Sequence, residues 1–264
     1  MTGIAAEALL KEGDVAGALR SLQEAVRAKP ADAKLRVFLF QLLAIAGEWD
    51  RALTQLDVCA DLDAAALPMR EMYAPAIACE RLREQVFAGA KSPLLFGEPE
   101  TWSALLIEAL ARDGRGESEA AARLRAQAFD AAPPSAGALD GERFEWIADA
   151  DMRLGPVLEA IVNNKYTWVP FSRLQAIRFE APADLRDCVW LPGQLRFANG
   201  GEALALIPVR YPGSHASADG AIRLARKTEW RQTSDALQTG TGQRLLATDG
   251  AEVGLLDVRS VAFG

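Results

Sequence analysis

The chain has 264 residues and carries 29 Lys plus Arg against 36 Asp plus Glu, a net charge of −7. Half of it is hydrophobic and a quarter is charged, the composition of a folded chain long enough for one or two domains. The acidic balance, with no basic run to offset it, excludes nucleic acid as the expected partner, because neutralising phosphates takes clustered Lys and Arg.

The first fourteen residues, MTGIAAEALLKEGD, contain acids and no basic leader, so they do not read as a signal peptide. No window approaches 18 uninterrupted apolar residues, and no membrane span is expected. Gly13-Asp14-x-Ala16-x-Ala18-Leu19-x-x-Leu22 returns as Gly47-Glu48-Trp49-Asp50-Arg51-Ala52-Leu53-x-x-Leu56, an offset of 34 residues. That is the period of the tetratricopeptide helix-turn-helix unit. Glycine suits the left-handed end of a first helix, and alanine within the second lets its neighbour pack closely. Pro30 follows Gly13 by 17 residues, and Pro133 follows Gly116 by the same 17, marking a third arm. Between them, Leu67 to Phe87 reads as one long helix without the repeat signature.

The texture changes near residue 136. The first 136 residues hold 8 glycines and the last 128 hold 13, with 11 of the 19 aromatics. Glycine, aromatics and short apolar alternations suit turns and strands. Phe144 to Asp149, Tyr166 to Val169 and Leu204 to Val209 alternate, and Val253 to Phe263 reads as a closing strand. Asn199-Gly200-Gly201 predicts a hairpin turn. Only Gly155 to Asn163 looks helical in this half. The expected fold is α+β and multidomain: a tetratricopeptide-like helical array over 1–133, a linker over 134–141, and a smaller β domain over 142–264. That β domain is mainly antiparallel, with one or two helices.

The chemistry-bearing residues are sparse. His215 is the only histidine, which excludes sites needing two imidazoles. Cys59, Cys79 and Cys188 have no CxxC spacing and fit a reducing compartment, so the protein is expected in the cytoplasm. Glu142, Glu145, Asp149 and Asp151 form an acidic group that can hold a metal or divide acid and base roles. Arg143 and Arg153 flank it, and ion pairing explains the same residues better. Ser214, His215 and Asp219 share one turn and lack the GxSxG pattern, so a turn is favoured over a triad. Gly240-Thr241-Gly242 lacks the rest of a phosphate loop and reads as a flexible loop. Cys188 beside Trp190 reads as a structural thiol. No catalytic, cofactor or metal residue is expected.

Longer phrases carry a family likeness. Tyr166-Thr-Trp-Val-Pro-Phe171, Pro182-x-Asp184-Leu-Arg-Asp187, Ile207-Pro-Val-Arg-Tyr-Pro-Gly-Ser214 and Leu224-Ala-Arg-Lys-Thr-Glu-Trp230 resemble the ImpE family, also called SciE or TagJ. Phe144-Glu-Trp-Ile-Ala-Asp-Ala-Asp151 and Gly47-Glu-Trp-Asp-Arg-Ala52 extend the likeness over nearly the whole chain. Asn163-Asn164, Cys188 and Thr241 depart from the family pattern. The resemblance implies a non-enzymatic accessory protein of bacterial type VI secretion. It would bind the small subunit of the contractile sheath by that subunit's N-terminal helix and assist sheath recycling alongside the AAA+ disassembly ATPase. The alternatives are a metal-dependent hydrolase using Glu145, Asp149 and Asp151, or a cytoplasmic effector chaperone.

Helical repeat arrays hold ligands along the first helix of each unit, here Asp32 to Ala46. On it, Leu35, Phe38, Leu39 and Leu42 are spaced to serve the core, and Arg36, Phe40 and Leu43 to meet a ligand. A helix this apolar can equally be buried on both faces. The second candidate surface lies in the basic stretch Arg223 to Trp230, with Arg226, Lys227 and Trp230 as anchors.

Overall fold

In the computed structural model, which describes residues 2–235 and 237–264, the chain makes the same helical hairpin three times. The pairs are α1 (Thr2–Lys11) with α2 (Val15–Ala28), α3 (Ala33–Ile45) with α4 (Trp49–Leu62), and α6 (Thr101–Gly114) with α7 (Ser118–Ala131). Each first helix ends on a glycine in the left-handed region: Gly13 at φ +83°, Gly47 at +71° and Gly116 at +76°. The two amides after each helix bond back to its last turn, as in Glu48 N–H to the Leu43 carbonyl at 2.9 Å. Five residues beyond each glycine stands an alanine with no exposed surface: Ala18, Ala52 and Ala121. The repeat in the sequence is therefore a repeated cap and a repeated close contact. The long helix α5 (Leu67–Phe87) stands alone between the second and third pairs.

The rest of the chain is mostly sheet. Its strands are β1 (Leu94–Leu95), β2 (Gly137–Leu139), β3 (Glu142–Phe144), β4 (Ile147–Asp149), β5 (Val157–Val162), β6 (Lys165–Pro170) and β7 (Leu174–Phe179). They continue with β8 (Trp190–Phe197), β9 (Glu202–Pro208), β10 (Thr228–Ser234), β11 (Leu237–Gly242), β12 (Leu245–Thr248), β13 (Glu252–Gly254) and β14 (Ser260–Phe263). One short helix, α8 (Gly220–Arg223), precedes β10. Nine strands join in the order β1-β6-β5-β9-β8-β7-β14-β2-β3, antiparallel except for the β1–β6 pair. The β10–β11 hairpin and the ribbon β13-β12-β4 are separate small sheets. A tetratricopeptide-like array followed by a mainly antiparallel sheet is thus the architecture.

Several local expectations need correction. Residues 155–163 are not helical: Val157 to Val162 is a central strand buried on both faces, which erases the alternation that identifies a strand. Phe144 to Asp149 splits into β3 and β4, which lie in different sheets, and Val253 to Phe263 splits into β13 and β14. Within 134–141, Gly137–Leu139 pairs with both β14 and β3. Gly240 to Gly242 is not a loop but the end of β11, paired with Thr228 to Trp230.

Two cores lie on the two faces of the large sheet. From β5, Val157 and Ile161 join Leu42, Ala76 and Ile77 of the helices in one core. Leu158, Ala160 and Val162 join Ile177, Leu195 and Val261 in the other. The sheet therefore packs directly on the helical array. Trp190 at the start of β8 lies 6.0 Å from Trp49 and 5.6 Å from Tyr73, ring centre to ring centre. At Gly47, an added Cβ would stand 2.4 Å from the His215 ring, so this capping glycine also gives the β half room to approach.

Buried charges close the seam. Arg83 of α5 donates to Glu159 of β5 through Nε at 2.6 Å and Nη2 at 2.9 Å, and to the Arg210 carbonyl at 2.8 Å. Arg210 then donates to the carbonyls of Ile45 and Ala44, at 2.9 and 3.3 Å, the open end of α3. A guanidinium there satisfies orphan carbonyls and opposes the helix dipole. Removing Arg83 would leave buried Glu159 with Arg244 as its one guanidinium partner and buried Glu80 with none at ion-pair distance among the described residues. Arg83→Ala should cost about 3–5 kcal/mol in urea unfolding, whereas Arg81→Ala, which breaks a surface pair with Asp50, should cost less than about 1 kcal/mol. Equal losses for the two variants would refute the seam's role.

Candidate partner-binding groove

On α1, Glu7, Leu10 and Lys11 fall at helical spacing, and on α3 so do Lys34, Val37, Phe38 and Gln41. Both rows belong to the first helices of repeat units, the surface that such arrays turn toward ligands. Between them runs a groove of about 620 Å³, closed at one side by Leu185 and Arg226 from the β half. Leu35 and Phe38 are half-buried there and Lys11, Lys34 and Arg226 stand exposed on the rim. Arg226 donates to the Lys11 carbonyl at 3.2 Å, at the C-terminal end of α1, and so joins the two halves at the groove's edge.

The remainder of this face is occupied by the chain itself. The 3-10 turn Leu185–Cys188 packs on α3, and the Arg186 guanidinium lies 4.9 Å above the Tyr73 ring of α5. Asp187 fixes that turn, its carboxylate accepting the amides of Ala183 and Asp184, each at 2.8 Å. The α1–α3 end of the array carries half-buried apolar and exposed charged side chains.

The six anchor candidates separate accordingly. Phe40 and Leu43 have no exposed surface, and Phe40 packs on Tyr73 at 5.8 Å, so these two cannot meet a ligand. Arg36 turns away from the groove, bonding the Pro30 carbonyl at 2.6 Å and Gln55 of α4 at 2.9 Å. Lys227 is held by Asp219 at 2.6 Å and Glu229 at 2.7 Å, and Trp230 lies half-buried against Tyr211. Arg226 alone of the six borders the groove. The faces of α3 differ in part from expectation: Leu39 and Leu42 are core as expected, Phe40 and Leu43 join them there, and Leu35 and Phe38, packed against that core, also line the groove. Both rows are apolar at helical spacing, so the pattern gave a period without a direction.

The acidic group does not converge. Glu142 and Glu145 are exposed, and the Glu145 amide donates to Asp249. Asp149 is bound by Arg244 at 2.7 and 2.8 Å, and Asp151 by Arg153 at 2.6 and 2.9 Å and by the Gly240 amide at 2.9 Å. Arg244 also reaches Glu159 at 3.4 Å, so carboxylates and guanidiniums alternate from α5 to β4. Burial works against the charge on Glu159, yet Arg83 and Arg244 hold it below the ordinary range. His215 is pushed down by burial and by Arg210, both of which disfavour a charged ring. Ser214 donates to the Tyr211 carbonyl and accepts the Gly242 amide, a structural turn rather than a nucleophile. Among the described residues, no three His, Cys, Asp or Glu side chains are grouped to hold a metal, and no helix is long and apolar enough to cross a membrane.

The molecule is a tetratricopeptide-like repeat array joined through a polar seam to an antiparallel sheet, with a groove between α1 and α3. Residues 141–262 match the ImpE protein family, and residues 9–66 match a tetratricopeptide repeat. The chain is 52% identical over 260 residues to the type VI secretion system accessory component TagJ of Pseudomonas aeruginosa, covering 98% of this chain and 90% of that one. The crystal structure of a Vibrio parahaemolyticus protein shares the fold at a TM-score of 0.90 and 24% identity, covering 98% of this chain and 97% of that one. The chain belongs to the ImpE family.

Asp149 carries a pH signature of its structural role. Burial pushes its carboxyl up to about 6 from an ordinary 3.8, against the pull of Arg244, with Asp151 adding to the rise. A carboxyl raised in the folded state binds its proton more tightly there than when unfolded. Its penalty is absent below the lower value and complete above the higher one. Relative to Asp149→Asn, the native protein should lose on the order of 2–3 kcal/mol between about pH 4 and pH 6.5, then stay level. Urea unfolding of both proteins across that range checks this; a difference that does not change with pH would refute it.

Proposed function

We propose that this chain is a non-enzymatic accessory protein of a type VI secretion system, acting in the cytoplasm. It binds the small subunit of the contractile sheath by that subunit's N-terminal helix. By that contact it assists sheath handling or recycling, with the AAA+ disassembly ATPase engaged only indirectly. The observation that carries the reading is the open, apolar-floored stretch between α1 and α3. Helix-in-groove docking uses apolar anchors at i, i+3, i+4 and i+7, which the apolar side chains of this stretch can receive. The relationship to an accessory component of type VI secretion supplies the setting.

Of the acids of the hydrolase alternative, Asp149 and Asp151 are held in structural pairs and Glu145 stands exposed apart from them, so the three do not form one site. Co-elution of the purified chain with the small sheath subunit tests the proposal. The intact subunit should bind, and a form lacking its N-terminal helix should not. Leu35→Asp, which places a charge on the groove floor, should weaken binding by roughly 1–3 kcal/mol while circular dichroism stays native. Equal binding of the intact and truncated subunits, or none by either, would overturn it.

A further inference from the structure

Gln41 is the one residue of the α1–α3 groove whose chemistry does not match its burial. It lies on α3 one turn beyond Phe38, only 6% exposed, in a floor otherwise made by Leu10, Leu35, Val37 and Phe38. Its side-chain amide makes no hydrogen bond among the described residues. Buried amides ordinarily have partners, since each offers both donors and an acceptor. While the groove is open, solvent reaches this one. A wholly apolar ligand would seal it off unpaired, whereas one with a matching polar group would restore the bond. The rim adds a second condition. Lys11, Lys34 and Arg226 border the groove without a carboxylate at ion-pair distance among the described residues, against Glu7 alone, on a chain of net charge −7.

We infer that the groove selects an amphipathic helix with two marks: one amide or hydroxyl side chain within its apolar stripe, placed over Gln41, and an acidic flank facing Lys11, Lys34 and Arg226. This rests on the reading that the groove receives a helix, and adds what that helix must carry. Discrimination comes from Gln41, because an unpaired buried amide penalises the wrong ligand more than a good bond rewards the right one. The cations speed encounter and fix orientation, and their effect falls with salt.

Calorimetry on the full chain tests the inference with four synthetic helical peptides. The first has a Leu stripe interrupted by one Asn and a Glu flank, the second replaces the Asn by Leu, and the third replaces the Glu residues by Lys. The fourth is the N-terminal segment of the small sheath subunit. The Asn peptide should bind about tenfold more tightly than its Leu counterpart, and Gln41→Leu should abolish or reverse that preference. The Lys-flanked peptide should bind at least about tenfold more weakly than the Glu-flanked one at low salt, with Lys34→Glu narrowing the gap. Lys34 is exposed, and the peptide changes leave the protein intact, so the result does not hinge on Gln41→Leu folding. Equal affinities for the designed peptides, or no binding by any of them, overturn the inference. A sheath segment that binds native protein, Gln41→Leu and Lys34→Glu alike also overturns it while sparing the proposed partner. Designed peptides that discriminate as stated while the sheath segment fails to bind uphold the inference and remove the sheath subunit as partner.

Discussion

Arg83 stands where the two halves of the molecule meet, and its guanidinium is committed on every side. It bonds both oxygens of Glu159, lies beside Glu80 and holds the Arg210 carbonyl. Arg210 is thereby set against the end of α3, and Glu159 is set to meet Arg244, which in turn holds Asp149. Charges this deep contribute little net stability when paired and are severely costly when a partner is lost. Their effect is to make one docking geometry acceptable: a sheet shifted by a residue would bury carboxylates facing no cation. The apolar contacts of Trp190 with Trp49 and Tyr73 supply area to the same seam without that selectivity.

This seam decides what the repeat array can do. Arrays of this kind present an inner surface, and here much of that surface is covered by Leu185–Cys188, by Trp190 and by the Arg210 guanidinium. Under the proposed reading the partner meets the α1–α3 end, where the β half contributes only a side wall. The same covering explains why an acidic protein can offer a basic rim: Arg226 arrives from the other half and joins Lys11 and Lys34 at one edge.

Legibility in the sequence followed the physics of each element. The repeat was readable because its cap needs glycine and its close contact needs alanine, and both needs recur at a fixed distance. The long helix α5 was readable from its unbroken length. Strand β5 was not, because burial of both faces removes the alternation on which a strand is recognised. The acidic group was legible as ion pairs, and Asp149 and Asp151 are so held; the shared face considered for Glu145 and Asp149 is absent because β3 and β4 part at Glu145 and Trp146. On α3, apolar residues encircle the helix, so spacing defined two faces and left open which was inward. Packing against Tyr73 of α5, which no local pattern encodes, settles that Phe40 points to the core. Gln41 was the available clue: a polar residue inside an apolar run marks a place where something other than packing is at work.

Because Leu185 and Arg226 belong to the β half while Leu35, Phe38 and Gln41 belong to the repeats, the groove has its side wall only when the seam is closed. Any ligand that contacts both walls binds the closed arrangement and not an opened one. Linkage then runs in both directions: the seam pre-forms the site, and an occupied site holds the seam shut by the same free energy. The buried ion pairs and the groove, about which the sequence speaks separately, are therefore parts of one device. Under the proposed reading, the fixed docking of a sheet on a repeat array makes of a general helix-binding surface one short site with a defined charge and a defined polar contact.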